Sequence, residues 1–538
     1  SRGALSAGRK NPDSALFPYY SSDKLIDSSA CTGAKTIIRK QVAEGQFETW
    51  EPFTERIALS ESVSRNLYKN SLGNCLLFEE VNQRLNLAFS YSWTFGNRFG
   101  FVRHCKLRNL GQQTANVSVL DGIQNLLPAG IDHNFQLRYS NLGDAYKKSE
   151  LAGQQDMGIY YLSSIPTDRA EPSEGLRATI AWQNGLDKPC VLLSSKQLDR
   201  FRDGMCVEQE RDVRGHRGAY FTVAQHVIPA AVDAEDTSES ELRSDDSSER
   251  GEVKWSIVAN VNRDQVDVVN LIRELNEASD VAAVIDQDVA QNERRLLSIV
   301  SAADGRQAGG DPLRVQRHQS NVLFNVMRGG IPRHQYSISA SDFHDHLLHF
   351  NRPAAERNPE FLDSLAADTM LDLDGLLAKA IQTHDDNVRR IALEYLPLTY
   401  SRRHGDPTRP WNSFSIDFFN ADGTESLCYE GNWRDIFQNW EALSLSFPNF
   451  SRSMVFRFLN ASTADGYNPY RVNNDGFEWE VIDPSDPWGN IGYWGDHQIV
   501  YLLRLLECSK DFYPAELDQW LATECCAYAQ VPYRIRDY

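Results

Sequence analysis

The sequence predicts a multidomain β plus α protein: an antiparallel β-sandwich, a short helical linker, then a helical domain. Three observations predict it. Apolar residues alternate at period two through much of residues 1–262, the spacing of strands that bury one face. At Asp264 the period changes to that of a helix, and from Leu313 onward nearly every segment keeps it. A chain of 538 residues is also too long for one core, so two or three domains are expected.

The elements follow in order. Asn86–Asn109 alternates apolar and polar residues, is dense in aromatics, and breaks at Gly96-Asn97. Ala115–Leu126, Gly175–Gln183, Gly218–Val227 and Val253–Val261 behave likewise, and several such strands joined by polar turns make a sandwich over residues 1–262. Asp233–Glu252 is acidic, Ser-rich and nearly free of apolar residues, and reads as a solvated surface loop. Asp264–Ser279 and Val281–Ala302 form a two-helix linker within residues 263–311. The third domain, 312–538, then carries helices at Asp342–Arg352, Pro359–Thr383, Asn387–Leu396, Asn432–Phe447, Phe450–Asn460, Asp496–Ser509 and Pro514–Ala529. Within Asn432–Phe447, the residues Ile436, Trp440, Leu443 and Phe447 fall on one stripe that should face a core.

Bulk properties exclude several functions. A formal charge of −19 argues against a nucleic-acid partner and fits a polyanionic glycan poorly, whereas a neutral sugar is compatible. No stretch approaches the ~20 apolar residues that span a bilayer, so no membrane partner is expected. The nine cysteines are irregularly spaced and include no Cys-x-x-Cys pair. That points to reduced thiols and a cytoplasmic setting rather than a disulfide framework or a zinc site. The chain opens at Ser1-Arg2-Gly3, without Met and already in structured-looking sequence, from which cut ends are expected.

Chemistry concentrates in two stretches beside the long loops Arg402–Glu430 and Ser462–Gly495. In the first, Trp433-Arg434-Asp435 starts a helix, with Gln438 three residues after Asp435 and four after Arg434. Asp accepts and Arg donates hydrogen bonds to vicinal sugar hydroxyls, and Trp433 supplies a stacking face. The competing reading is an Asp that complements the helix dipole beside a solvated Arg. The second runs through Asp465 and Tyr467 to Trp494, Asp496, His497 and Gln498. Acids among Trp and Tyr can acquire the raised pKa a general acid needs. Asp496 reads equally as an N-cap, and His497 as a helix-start residue, a sugar contact or an anion contact. No metal site is expected: Asp342-Phe343-His344-Asp345-His346, with His349, reads as a polar helix face. Arg402–Asn412, basic with Trp411, reads either as a phosphate-holding segment or as a loop anchored by its Trp.

At these residues the chain resembles the inverting glycoside phosphorylases of the cellobiose phosphorylase type. Cys105–Pro128 is similar to that family's sandwich segment, and Trp433-Arg434-Asp435-x-x-Gln438 to its Arg-Asp-x-x-Gln helix. Related toroidal glycoside hydrolases share the Arg-Asp arrangement. The resemblance implies a super-β-sandwich, a linker and the first part of an (α/α)6 toroid. It also implies that Arg434 and Asp435 contact the sugar at the non-reducing subsite, beside Gln438, with Asp465 and the Asp496 region facing it. No cofactor is implied, only inorganic phosphate as co-substrate. The family's general acid lies in a late Trp-Asn-Asp segment, which is missing here: Trp411-Asn412 is followed by Ser413 and precedes Trp433. The remainder of the toroid is therefore expected as a C-terminal continuation or a second polypeptide, alongside an oligosaccharide substrate and homo-oligomerisation. Asp496 stands as the catalytic candidate within the chain. Hydrolysis on the same fold, with Glu478, Glu480 or Asp483 as base, and sugar binding without catalysis are the alternatives.

Overall fold

The computed structural model describes residues 5–54, 62–166, 173–230, 251–366, 369–402, 414–416, 418–420, 424–480, 493–494 and 498–531. They fall into two compact units, one running to Leu296 and the other from Leu297.

The first unit is β-rich. Its strands are β1 (Gly33–Ala43), β2 (Gln46–Trp50), β3 (Val63–Lys69), β4 (Leu76–Asn82), β5 (Leu87–Gly96), β6 (Gly100–Asn109), β7 (Ala115–Leu126), β8 (Lys147–Ala152), β9 (Met157–Leu162), β10 (Arg177–Asn184), β11 (Cys190–Leu192), β12 (Asp212–Arg214), β13 (Gly218–Ile228) and β14 (Glu252–Asp264). They build a five-stranded sheet, β11-β13-β7-β1-β2, and a nine-stranded sheet, β12-β8-β9-β10-β14-β6-β5-β4-β3. All pairings are antiparallel.

The expected alternation decides the faces. Phe89, Tyr91 and Trp93 of β5 and Phe101, Cys105 and Leu107 of β6 meet Ile38, Val119, Ile123 and Tyr220 of the other sheet in one core. The opposite parity of the nine-stranded sheet, Val102, Ile180, Trp182 and Val258, is also buried, under the helices Gln265–Glu277 and Val281–Ala302. The first of these helices starts with a capping box, Asp264 with Asp267. The β5–β6 turn docks on the second: Asp288 accepts from the Arg98 and Phe99 amides, and a Cβ at Gly96 would stand 1.9 Å from its carboxylate. The acidic stretch expected as a loop, Asp233–Glu252, falls almost wholly on residues outside the described ones.

The second unit is mainly helical: Pro312–Gly329, Ala340–Phe350, Pro359–Ala366, Leu373–Gln382, Asp386–Leu393, Trp433–Ser446, Ser451–Ala461, Gln498–Phe512 and Pro514–Ala522 are its longer helices among the described residues. One expectation is corrected. Pro359–Thr383 is not a single helix. Met370–Asp372 leaves the helical path to pair with Ser337–Ser339, and the Asp372 carboxylate then caps a new helix at the Gly375 amide, 2.6 Å away. The core of the unit gathers Phe343, Leu347, Leu376, Ile391, Trp433, Phe437, Trp440, Met454, Phe458 and Leu505. The helix Ser451–Ala461 is buried on nearly every side, including its Ser451, Ser453 and Arg457. Among the described residues no helix is long and apolar enough to cross a membrane.

Candidate functional site

The Arg-Asp-x-x-Gln helix is launched by a three-stranded ribbon. Glu430–Asn432 pairs with Arg471–Asn473, which pairs with Gly476–Glu478. Trp433 donates its amide to Tyr470 O at 2.9 Å, so the first helical residue hangs from the ribbon. Gly431 is needed here: a Cβ would approach Ile436 Cβ to 2.9 Å.

The helix then sorts its residues by face. Ile436, Trp440, Leu443 and Phe447 are buried, as the stripe requires. Arg434 and Asp435 are half-buried and Gln438 is exposed, so the three polar residues stay accessible on a rigid element. Trp433 is a correction. Its side chain is 0% exposed, with Phe437 and Phe458 ring centroids at 4.7 and 4.9 Å. The indole is wholly enclosed by the core, and no surface of it is left for a sugar.

In the second stretch, Asp465 and Tyr467 lie in a tight turn. Thr463 Oγ1 donates to Asp465 Oδ1 at 2.5 Å and accepts the Tyr467 amide at 2.8 Å. Tyr467 is half-buried beside the Trp479 ring, at 5.5 Å, and burial together with Glu480 raises its phenol pKa. Its backbone pairs directly with Trp494, so the fold brings together two residues that the sequence places 27 apart. Gln498 starts its helix with 0% exposure, and neither amide atom has a hydrogen-bond partner among the described residues. Asp496 and His497 lie outside the described residues, as do Asp483 and all of Arg402–Asn412 except Arg402.

Two arrangements here were not anticipated. Arg471 Nη1 lies 3.1 Å from Glu430 Oε1 and 3.0 Å from Glu478 Oε2. Both carboxylates are thus engaged by the same guanidinium nitrogen. Beneath the ribbon, Arg457 is fully buried, with its guanidinium 4.4 Å from the Phe477 ring and 5.1 Å from the Phe350 ring. Its Nη2 donates to Asn473 O at 3.1 Å. The signal in the sequence was a lone charge inside the apolar run Met454–Leu459. His346 belongs to this layer as well. It is enclosed by Phe350 and Tyr395, at 4.2 and 4.8 Å, and burial holds its pKa well below the usual value. The expected polar helix face at 342–349 is thus divided: His344 and Asp345 pair outward at 3.0 Å, while His346 points into aromatic packing.

In the first unit, a cavity of about 400 Å³ opens between the outer face of the nine-stranded sheet and the helix after Asp280. His104, Ser92 and Ser256 line it, with Asp286 on the helix side.

Comparison with known proteins gives a local match. Residues 333–397, from the turn before Ala340–Phe350 to four residues past the helix Asp386–Leu393, match the family model described as glycoside hydrolase family 149 insertion domain 1. The match is confined to this segment, about an eighth of the chain. No curated protein matches the chain. Among solved structures it is similar to a bacterial glucoamylase complexed with acarbose, at 10% identity and a TM-score of 0.38. That similarity covers 97% of this chain, which spans 62% of the glucoamylase.

Proposed function

We propose that the chain supplies the sandwich and part of the sugar site of an enzyme that cleaves a β-linked glucoside or similar neutral oligosaccharide by inverting phosphorolysis. The observation that carries this reading is the division of one helix. Ile436, Phe437 and Trp440 lock it into the core, while Arg434, Asp435 and Gln438 remain accessible at its N-terminal end. The insertion-domain match at 333–397 supports the same class of chemistry.

In this reading Asp435 accepts from, and Arg434 donates to, neighbouring sugar hydroxyls, and Gln438 does both. An acid protonates the glycosidic oxygen while phosphate attacks the anomeric carbon from the opposite face, which inverts it. Asp496 is proposed as that acid or as a further sugar contact, with Asp465, Tyr467, Trp494 and His497 completing the wall; Gln498, expected there too, has no exposed surface to offer a sugar. The complete enzyme is proposed to carry more of an (α/α)6 toroid, in a continuation or a second polypeptide. Ile499, Val500 and Leu503, each at least half exposed, offer it an apolar face. A reducing, cytoplasmic setting is part of the proposal, on the irregular cysteine spacing and the lack of a Cys-x-x-Cys pair in the sequence.

The test is product analysis on β-glucosides with and without phosphate, using the complete protein. A sugar 1-phosphate formed only with phosphate supports the proposal. Reducing ends released without phosphate would transfer it to hydrolysis, and binding without either product to a non-catalytic sugar-binding protein. Asp435→Asn should lower sugar affinity at least about tenfold, some 1.4 kcal/mol.

A further inference from the structure

The Arg-Asp-x-x-Gln helix begins without a side-chain cap at Asn432. Its direction is set instead by the ribbon before it. The outer strands of that ribbon, Glu430–Asn432 and Gly476–Glu478, never touch as a ladder, because Arg471–Asn473 lies between them. Register pairs Arg471 with Asn432 on one side and with Glu478 on the other. Its guanidinium, with 16% side-chain exposure, then reaches a carboxylate on each flanking strand from a single nitrogen. Tyr470, the residue before it, accepts the Trp433 amide through its carbonyl and donates its own amide to Glu478 O. Two adjacent residues, Tyr470 through its backbone and Arg471 through its side chain, therefore tie the flanking strands to the point where the helix starts.

We infer that Arg471 is the positioning residue of the proposed sugar site: it clamps Glu430 and Glu478 so that the Trp433 amide meets Tyr470 O and Arg434 and Asp435 are held in register for the sugar. Two carboxylates drawn to one guanidinium and left without it would repel and loosen the ribbon. The helix body would stay in place, because Trp433, Phe437 and Trp440 anchor it in the core. The loss should thus fall on sugar recognition and leave the fold intact. This inference rests on the proposed function, and its experiment separates the two.

Arg471→Met and Arg471→Lys are compared with the unmodified protein by hydrogen exchange at the Trp433 amide and by binding of a β-linked glucose disaccharide. Lys keeps a charge that one nitrogen can share between two carboxylates. Arg471→Met should speed exchange of the Trp433 amide at least about tenfold and weaken sugar binding about tenfold, with Lys restoring most of both. The midpoint of global unfolding should move little. Unchanged exchange in Arg471→Met, or sugar binding that stays normal while exchange rises, overturns the inference and leaves the functional reading standing. An unmodified protein that binds no glucoside overturns the functional reading and the inference together, whatever the exchange data show.

Discussion

Arg103 of the nine-stranded sheet places Nη1 2.7 Å from Asp121 Oδ2 of the five-stranded sheet, with side-chain exposures of 0% and 1%. Asp121 also accepts from Thr36 Oγ1 at 2.6 Å and from Trp255 Nε1 at 2.8 Å. Arg103 lies over the Tyr91 ring at 4.3 Å. A hydrogen-bonded ion pair thus crosses the sandwich core from one sheet to the other. Asp121→Ala and Arg103→Met should each destabilise the protein by about 3–5 kcal/mol, because each leaves an uncompensated buried charge. The double replacement Arg103→Met with Asp121→Leu should recover a large part of that. Urea unfolding measures all three, and single-variant losses below about 1 kcal/mol would contradict this account.

Trp433 is a core residue, so its replacement should act on stability. Trp433→Ala should cost about 3–5 kcal/mol, the range for removing a buried aromatic ring. Trp433→Phe should cost less and leave sugar affinity within about twofold. Denaturation and sugar titration on the same samples decide the matter. Lost affinity at unchanged stability in the Phe variant would return the indole to the sugar site.

His346 makes stability pH-dependent. Burial, helped by Arg457 and His349, holds its folded pKa well below the ordinary value. Above about pH 6.5 the imidazole is neutral in both states and its contribution is fully present. As pH falls below that, the unfolded chain takes up a proton that the folded one refuses. Stability then drops by up to about 1.4 kcal/mol per pH unit until the folded pKa is reached. Urea midpoints at about pH 7.5 and about pH 5.5 should differ less in His346→Phe than in the unmodified protein. An equal difference in both would show that His346 does not couple to folding.

Thiol chemistry should be selective. Burial, together with Cys525 beside it, pushes the Cys526 thiol up to about 12. At about pH 8 the thiolate is scarce, so iodoacetamide should label Cys526 more slowly than Cys31 and Cys206, although all three are exposed. Cys105 is buried and hydrogen-bonded to Asp121 at 3.3 Å, and should label only on unfolding. Peptide mass spectrometry over a time course reads all four, and fast labelling of Cys105 in the native protein would count against the closed sandwich core.

Much of the local structure was legible because hydrophobic period is a local property. The strand Ala115–Leu126 and the helix Val281–Ala302 have the bounds their alternation and helical spacing imply. The face of the Arg-Asp-x-x-Gln helix that enters the core was legible too, through Ile436, Trp440, Leu443 and Phe447. Its neighbour Trp433 was misread, since a residue beside the stripe is buried or exposed according to what packs over it. Here Phe458, from another helix, does so.

What the sequence by itself determined is the succession of elements: strands first, then two helices, then helices carrying a polar-aromatic helix start. Only the tertiary structure decided which distant residues share a charge or a ladder. It breaks Pro359–Thr383, because Met370–Asp372 finds a pairing edge at Ser337–Ser339. It sets Arg103 against Asp121 across two sheets, and Arg471 between Glu430 and Glu478. Each of these depends on partners that no local window contains. Their mutual attraction offsets the cost of leaving water only where the surroundings are of low dielectric, and that exists only when the chain has closed around them.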